Sequence, residues 1–200
     1  MSFRKEEKII LSYSEIDYLK KDLLKKGFKY LYPKRIIESI YFETIHNRCF
    51  NESEEGLLPR RKFRIRNYPE KNKNEHYNFE IKISSLEGRY KISKPIDKII
   101  NLKYLNSGIK DENYGYLEKK IKISYSREYL AFQDIRVTID KNIEYFSMNS
   151  SRSFKEPMCV LEFKTDINHD DHLRSLVVSS STNRFSKFCR GLKCINNISI

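Results

Sequence analysis

One nine-residue segment, 60–68, constrains the fold of this chain more than any other. It reads Arg-Arg-Lys-Phe-Arg-Ile-Arg-Asn-Tyr, and side chains of a β-strand point alternately to the two faces of its sheet. The cations of one face are Arg60, Lys62, Arg64 and Arg66. On the other face, Phe63 and Ile65 can pack against a core. Because neighbouring like charges repel one another, the cationic face either lies open to water or is built to hold a polyanion.

The composition favours an anionic partner without choosing one. The chain has 200 residues, a formal net charge of +12 and a sequence pI of about 9.4. Nucleic acid, a membrane surface and phosphorylated small molecules would all be attracted by this charge. No apolar run approaches the roughly 20 residues that span a bilayer, and the charged first residues lack the apolar core of a signal peptide. We therefore expect a cytoplasmic protein with no membrane segment.

The pattern of apolar and polar residues predicts one α+β domain over residues 1–200, with a mostly antiparallel sheet and flanking helices. Strands are predicted at 3–11, 39–43, 60–68, 78–83, 121–130, 134–140, 143–147 and 158–164. A helix after the first strand is marked by the capping-box spacing of Ser12 and Glu15 and by Gly27 as its terminator. Further helices are predicted from Pro95 to Gly108 and at 111–120, 170–178 and 184–191. Residues 51–59 and 69–76 are predicted as loops.

Several of these strands share the pattern of one polar and one apolar face. The polar faces hold Arg4, Glu6 and Lys8; Glu80 and Lys82; Asp134, Arg136, Thr138 and Asp140; and Glu162 and Lys164. If helices cover the apolar faces, the polar faces line a charged lumen. Arginine and lysine suit phosphate oxygens, and carboxylates among them suit Mg²⁺ or Mn²⁺.

Two other arrangements would produce the same alternation. One is a sheet with a face in water. The other is an open sheet that binds nucleic acid, but such a sheet uses aromatic residues for base stacking, and Tyr68 is the only aromatic residue on the basic face. The carboxylates of Glu6, Glu80 and Glu162 would also repel a phosphate backbone unless a metal ion intervened. Nucleic acid is therefore not the expected partner.

The motifs resemble, in their order along the chain, those of the VTC domain, the polyphosphate polymerase branch of the triphosphate tunnel metalloenzymes (CYTH-like superfamily). They are Arg4-x-Glu6-x-Lys8, Ser39-Ile-Tyr-Phe, Lys62-x-Arg64-x-Arg66-x-Tyr68, Glu80-x-Lys82, Tyr125-x-Arg127, Arg136-x-Thr138-x-Asp140, Glu162-x-Lys164 and Ser186-Lys187-Phe188 before Gly191. No single motif is specific, but the eight in this order cover nearly the whole chain.

The resemblance implies an antiparallel β tunnel of about eight strands that holds a triphosphate or polyphosphate chain. The phosphate-binding residues that it implies are Lys8, Arg64, Arg66, Lys82, Tyr125, Arg127, Arg136, Ser186 and Lys187. The residues implied to be catalytic are Arg64, Arg66, Arg136 and Lys187. Glu162 is the implied ligand of Mn²⁺ or Mg²⁺, and Glu6 and Glu80 either share that role or balance a neighbouring cation. Lys62 is expected on the same wall, with Arg60 and Arg61 near its edge.

The chain departs from the family pattern at two points. Glu43 stands after the Tyr-Phe pair, where the family usually has Asp. The basic residue expected after Lys82 has three candidates, Arg89, Lys91 and Lys94.

The activity implied by the resemblance is metal-dependent transfer of the γ-phosphoryl group of a nucleoside triphosphate to phosphate or to a growing polyphosphate chain. Hydrolysis of triphosphate in the same site is the first alternative, with water in place of the phosphate acceptor. A non-catalytic module that binds polyphosphate or RNA is the second. The acceptor, the preferred metal and the oligomeric state stay open.

Overall fold

The structure of the protein is a computed structural model that describes residues 4–69, 77–166 and 184–196. The strands are β1 (Arg4–Leu11), β2 (Lys29–Glu43), β3 (Arg60–Asn67), β4 (Tyr77–Ser85), β5 (Gly88–Ile96), β6 (Ile109–Asp111), β7 (Gly115–Phe132), β8 (Ile135–Ser147), β9 (Ser153–Lys155) and β10 (Cys159–Asp166). The helices are α1 (Tyr13–Lys25), α2 (Arg48–Glu55), α3 (Lys98–Ser107) and α4 (Lys187–Asn196). Within these described ranges, none of the helices has the length and apolar character needed to cross a bilayer.

Eight of the strands form the main sheet, in the order β1-β10-β8-β7-β2-β3-β4-β5. The short strands β6 and β9 pair with β7 and β8. The strand pairs β1–β10, β10–β8, β2–β3, β3–β4 and β4–β5 are all antiparallel. In the described part of the chain, β1 and β5 are the two ends of the hydrogen-bonded order, so the sheet is not closed into a ring. The predicted α+β fold, with a main antiparallel sheet of eight strands and flanking helices, is confirmed.

Contacts within the chain group it into two compact units. Unit 1 comprises residues 1–35, 125–143 and 156–185, and unit 2 comprises residues 36–124, 144–155 and 186–200. The long strands β2, β7 and β8 contribute residues to both units. The interpretation of residues 1–200 as one domain stays a prediction.

The core of unit 1 lies between α1 and the apolar faces of its strands. Ser12 caps α1 as predicted: its side chain accepts a hydrogen bond from the Glu15 backbone N–H, and the Glu15 carboxylate accepts from the Ser12 backbone N–H. The buried core side chains are Ile9, Ile16, Leu23, Phe28, Leu130, Ile135, Val137, Ile139, Cys159, Leu161 and Phe163. Because side chains alternate along a strand, the opposite faces of β1, β8 and β10 carry the predicted polar residues.

The core of unit 2 lies partly beneath α4. Its buried side chains include Phe188, Leu192 and Ile195, and the Phe188 ring stacks on Tyr41 with 5.1 Å between ring centroids. Gly191 allows this helix to approach the sheet closely, since a Cβ atom there would lie 2.5 Å from Tyr145 Cδ1. Contacts this short do not occur between real side chains, so the packing of α4 depends on the missing side chain of Gly191.

Two predicted elements are wrong. The segment 51–59, predicted as a loop, contains most of α2. The helix predicted at 111–120 is instead the β6–β7 hairpin, because the Asp111 carboxylate accepts hydrogen bonds from the backbone N–H groups of Asn113 and Tyr114 and fastens a turn that ends at Gly115.

Other elements have different bounds from those predicted. The strands predicted at 134–140 and 143–147 are one strand, β8, and β2 begins ten residues before the predicted 39–43. The strand β5 ends at Ile96, so the helix predicted from Pro95 begins only at Lys98, capped by Asp97. The predicted helix at 170–178 and most of the predicted 69–76 loop lie outside the described residues.

Candidate functional site

The cationic strand β3 is buried on both faces. Phe63 and Ile65 are 0% and 2% exposed, and on the opposite face Arg64 and Arg66 are only 4% and 8% exposed. A guanidinium group removed from water needs an anion or other hydrogen-bond acceptors nearby. For these two arginines, the structure therefore excludes a face open to water.

Glu80 is the anion inside unit 2 that faces these arginines. It lies opposite Arg64 in the β3–β4 register, and its Oε2 atom accepts from Arg64 Nε at 2.6 Å and lies 2.5 Å from Nη2. Its Oε1 atom accepts from Lys91 Nζ at 2.6 Å, and Arg66 Nη1 is 3.9 Å from Oε2. Burial raises the pKa of Glu80, but the charges of Arg64 and Arg66 lower it by a larger amount, to about 2. Glu80 therefore stays ionised.

The Ser39-Ile-Tyr-Phe motif on β2 flanks the same arginines from the other side. Arg64 Nη1 donates to the Tyr41 hydroxyl at 2.8 Å, and Arg66 Nε donates to Ser39 Oγ at 3.4 Å. The register places Tyr41 opposite Arg64 and Ser39 opposite Arg66. Burial raises the pKa of Tyr41, but the two guanidinium groups lower it more, so that it lies below its ordinary value. The motif thus orients both arginines.

A row of lysines crosses three strands next to Arg64. Lys62 lies opposite Lys82, and Lys82 lies opposite Lys91. Lys91, one of the three candidates for the basic residue after Lys82, also contacts Glu80 through its Nζ atom. We call this group of side chains the Arg64 cluster, and its members are Tyr41, Lys62, Arg64, Arg66, Glu80, Lys82 and Lys91.

The first residues of α4 adjoin the Arg64 cluster within unit 2. Lys62 Nζ donates to Ser186 Oγ at 2.9 Å, and Ser186 Oγ accepts from the Cys189 backbone N–H at 3.3 Å. Lys187 is the first residue of the helix. A helix N-terminus favours negative charge, so the predicted pair Ser186 and Lys187 stands where an anion beside Lys62 would be stabilised.

Unit 1 holds the other predicted site residues around Glu162. Lys164 Nζ lies 2.7 Å from Glu6 Oε1 and 3.0 Å from Glu162 Oε1. Burial lowers the pKa of Lys164, but the carboxylates of Glu162 and Glu6 raise it more. Lys8 lies opposite Glu162 in the register and donates to the Phe185 carbonyl at 2.9 Å. Two predicted metal ligands, Glu6 and Glu162, are therefore brought together by one lysine.

Arg127 on β7 is held by Asp140, which is fully buried. The Nε and Nη2 atoms of Arg127 donate to the two Asp140 oxygens at 2.6 and 2.7 Å, and its guanidinium carbon lies 5.3 Å from the Tyr125 ring centroid. Burial lowers the pKa of Arg127, but Asp140 raises it well above its usual value. Arg136 has an exposed side chain and lies opposite Lys164 in the register.

We call this second group the Glu162 cluster, and its members are Glu6, Lys8, Arg127, Thr138, Asp140, Glu162 and Lys164. Thr138 lies opposite Glu162 in the β8–β10 register, and its buried Oγ1 atom has no hydrogen-bond partner among the described residues. Glu162 Oε2 lies 3.7 Å from Arg127 Nη2, which is longer than a hydrogen bond.

The residues around Glu162 fit a divalent cation that is held only in part by the protein. No group of three or more His, Cys, Asp or Glu side chains suited to a metal ion occurs in the parts of the chain that the structure describes. Mg²⁺, however, is usually bound by one or two carboxylates together with substrate phosphates. Glu162, with the partnerless Thr138 hydroxyl beside it, meets that requirement. The contacts of Glu80 with Arg64 and Lys91 match the alternative in which it balances cations.

Sequence reasoning did not assign the contacts of two cluster members, Tyr41 and Asp140, or those of Glu43, which lies outside both clusters. Tyr41 and Asp140 lie within matched motifs, but the pairing of each with a particular arginine depends on strand register. Glu43, the departure from the family pattern, accepts hydrogen bonds at 2.8–2.9 Å from the backbone N–H groups of Thr44, Cys49 and Phe50, and so supports the start of α2. Burial raises its pKa. Strand alternation could have indicated that Asp140 shares a face of its strand with Arg136. No signal in the sequence indicates the contacts of Glu43.

Comparison with protein families gives one match, in which the sequence model of the VTC domain covers residues 3–196. No curated protein matches the sequence significantly.

Solved structures with similar folds include the following three. A "putative adenylate cyclase" from Bacillus halodurans has a TM-score of 0.63 at 15% identity, with 94% of this chain and 97% of that chain covered. Another, from Vibrio parahaemolyticus, has a TM-score of 0.57 at 12% identity, covering 96% and 98%. The "putative adenylyl cyclase" HpAC1 from Hippeastrum, whose structure is said to reveal a dominant triphosphatase activity, has a TM-score of 0.52 at 13% identity, covering 90% and 92%. At these identities the likeness concerns the fold alone.

Proposed function

The chain belongs to the VTC domain family, and from this premise we propose that it transfers the γ-phosphoryl group of a nucleoside triphosphate to phosphate or to a growing polyphosphate chain. The proposed cofactor is Mn²⁺ or Mg²⁺. The proposed phosphate ligands are those that the resemblance implies, with Arg64, Arg66, Arg136 and Lys187 as the catalytic residues.

The observation that carries this proposal is the charge of the Arg64 cluster. Five of its members are cations, and one, Glu80, is a carboxylate. Four of the five cations, all but the exposed Lys91, are buried or half-buried, and such an excess of positive charge favours a multiply charged anion. The oxygens of a triphosphate or polyphosphate chain match both the charge and the bidentate geometry of arginine.

Phosphoryl transfer needs little covalent chemistry from a protein, since it depends on in-line positioning and on the neutralisation of charge on the transferred group. In the proposal, Arg64 and Arg66 neutralise phosphoryl oxygens, and the ion pairs with Glu80 and the hydrogen bonds to Tyr41 and Ser39 keep both guanidinium groups in place. Fixed charges of this kind need no reorganisation during the reaction. Glu162 would hold the divalent cation, which supplies charge neutralisation at phosphate oxygens.

Hydrolysis of the same substrates is the second candidate function. It is favoured by the fold likeness to HpAC1, whose structure is said to reveal a dominant triphosphatase activity. The two functions use the same phosphate ligands and differ in whether phosphate or water accepts the phosphoryl group.

The test is an incubation of the purified chain with ATP and Mn²⁺, followed by gel electrophoresis of the products. Long phosphate chains are the expected result. Orthophosphate alone would contradict polymerisation and support hydrolysis, and no turnover of ATP or inorganic tripolyphosphate would contradict both.

The variant Glu162→Gln tests the proposed metal ligand. Because a bound divalent cation contributes several kcal/mol of charge stabilisation, we expect a loss of roughly 100-fold in turnover. The matched control is Glu118→Gln, at an exposed carboxylate of β7 outside both clusters, which should retain wild-type turnover. Equal turnover of the two variants would contradict the role of Glu162.

A further inference from the structure

The hydroxyl of Thr138 is a buried polar group for which the fold supplies no partner. The residue is 7% exposed, and its Oγ1 atom makes no hydrogen bond to the described part of the protein. A hydroxyl in that state has lost its hydrogen bonds to water without gaining others, which is unfavourable for folding. Valine has nearly the same shape without this penalty, and β8 already contains a buried valine at Val137.

The surroundings of Thr138 show what its hydroxyl faces. Strand alternation places it on the same face of β8 as Arg136 and Asp140. It lies directly opposite Glu162 on β10, and side chains opposed in an antiparallel pair have Cβ atoms about 5 Å apart. Lys8 lies opposite Glu162 on the far side, on β1. All of these residues belong to unit 1.

The charges around this hydroxyl favour a cation with oxygen ligands over a further phosphate group. The Glu162 cluster has three cations and three carboxylates, with the exposed Arg136 as a fourth cation on the same face of β8, whereas the Arg64 cluster has five cations and one carboxylate. Both Asp140 oxygens are bonded to Arg127, and Lys164 lies between Glu6 and Glu162. A neutral hydroxyl next to a carboxylate is a common protein ligand pair for Mg²⁺ in phosphoryl-transfer sites.

We propose that Thr138 Oγ1 is a second protein oxygen ligand, beside Glu162, for the Mn²⁺ or Mg²⁺ ion. This inference rests on the proposed function, because it assumes that Glu162 holds a divalent cation. It assigns to Thr138 a role in binding that its position in the Arg136-x-Thr138-x-Asp140 motif does not by itself indicate.

The experiment compares Thr138→Val, Thr138→Ser and a control, Thr44→Val, in the full chain. Binding of Mn²⁺ is measured by electron paramagnetic resonance in the presence of the ATP analogue with an imido bridge between its β- and γ-phosphorus atoms. The melting temperature of each variant is measured without ligands. Thr44 is a suitable control because its buried hydroxyl does have a partner, the Arg48 backbone N–H at 2.9 Å.

We expect Thr138→Val to weaken Mn²⁺ binding by about tenfold or more, as changes around a metal ligand usually do. Its melting temperature should stay the same or rise, since the hydroxyl that it removes has no partner in the protein. Thr138→Ser should bind Mn²⁺ within about threefold of wild type, because it keeps the hydroxyl oxygen. Thr44→Val should bind Mn²⁺ normally and melt a few degrees lower.

Two results would overturn the inference. One is wild-type Mn²⁺ binding by Thr138→Val. The other is an equal loss of affinity for the analogue with and without Mn²⁺, which would indicate that the hydroxyl contacts a phosphate oxygen directly. Glu162→Gln separates this outcome from failure of the proposed function: if that variant binds Mn²⁺ as well as wild type does, the proposed metal site itself is wrong.

Discussion

Glu80 explains how two arginines can lie inside this sheet. A buried guanidinium group is costly unless a charge and several hydrogen bonds compensate it. The Glu80 carboxylate compensates Arg64 directly and approaches Arg66, and Lys91 occupies its other oxygen. The arginines are thereby fixed in position, which would lower the entropic cost of the proposed phosphate binding.

The pKa of Glu80 makes this arrangement testable through stability. Because the folded-state pKa is about 2 against an ordinary 4.5, the ionised carboxylate stabilises the fold above pH 4.5. That contribution is lost as the pH falls through 2. At pH 7, we expect Glu80→Gln to lower the free energy of unfolding by about 3 kcal/mol, with a difference from wild type that shrinks below pH 4.5.

Urea unfolding at pH 7 and pH 3 measures both quantities. Glu118→Gln, at an exposed position, should change neither the free energy of unfolding nor its dependence on pH by a measurable amount. If the free energy of unfolding of Glu80→Gln changed between pH 7 and pH 3 by as much as that of wild type, Glu80 would not be the main counter-ion of Arg64.

At the scale of elements, local signals decided which parts could be predicted. Helix α1 has its cap within three residues of sequence, at Ser12 and Glu15, and was predicted. Helix α2 begins after Asn47, whose side chain makes no capping hydrogen bond, and two of its first N–H groups are bonded by Glu43 at the end of β2. A cap supplied from the preceding strand depends on how the chain folds back on itself, and the local sequence does not show it. The polar composition of residues 51–59 therefore predicted a loop.

The local cap of α1 leads to a prediction about stability without function. We expect Ser12→Ala to lower the free energy of unfolding by about 1 kcal/mol, because Ser12 Oγ satisfies the Glu15 N–H. Activity should stay at the wild-type level, since Ser12 belongs to neither cluster. Thermal unfolding and an ATP-turnover assay measure the two effects. Ser107→Ala, at an exposed serine at the end of α3, is the control and should not lower stability; an equal loss in both variants would contradict the capping role.

At the scale of the whole molecule, the sequence predicted the polar strand faces but not how their charges divide. Alternation along β3, β4, β8 and β10 is a local property, and it placed the candidate phosphate and metal ligands of these strands on their polar faces. Which carboxylate neutralises which cation depends on the registers between strands, which residue spacing does not encode. The sequence alone therefore could not predict that the Arg64 cluster has an excess of cations whereas the Glu162 cluster has equal numbers of cations and carboxylates.

In the proposed function, the net charge of +12 would attract anionic substrates in addition to the two clusters, and the two effects would respond differently to salt. Exposed charges more than about 10 Å away are screened at 0.1 M ionic strength, whereas charges that contact a bound phosphate are screened much less. The double variant Lys103→Glu and Lys110→Glu changes two exposed residues outside both clusters and lowers the net charge by 4, from +12 to +8. Lys82→Gln removes a cation within the Arg64 cluster.

We expect the double variant to lower kcat/KM for inorganic tripolyphosphate about two- to fivefold at roughly 50 mM KCl, and to match wild type at roughly 500 mM, because salt screens long-range attraction. Lys82→Gln should lower kcat/KM at both salt concentrations, since it removes a proposed direct contact with phosphate. Steady-state kinetics at the two ionic strengths measure these effects. If both variants lost their defect in high salt, Lys82 would contribute only to general attraction, and its assignment as a phosphate ligand would be wrong.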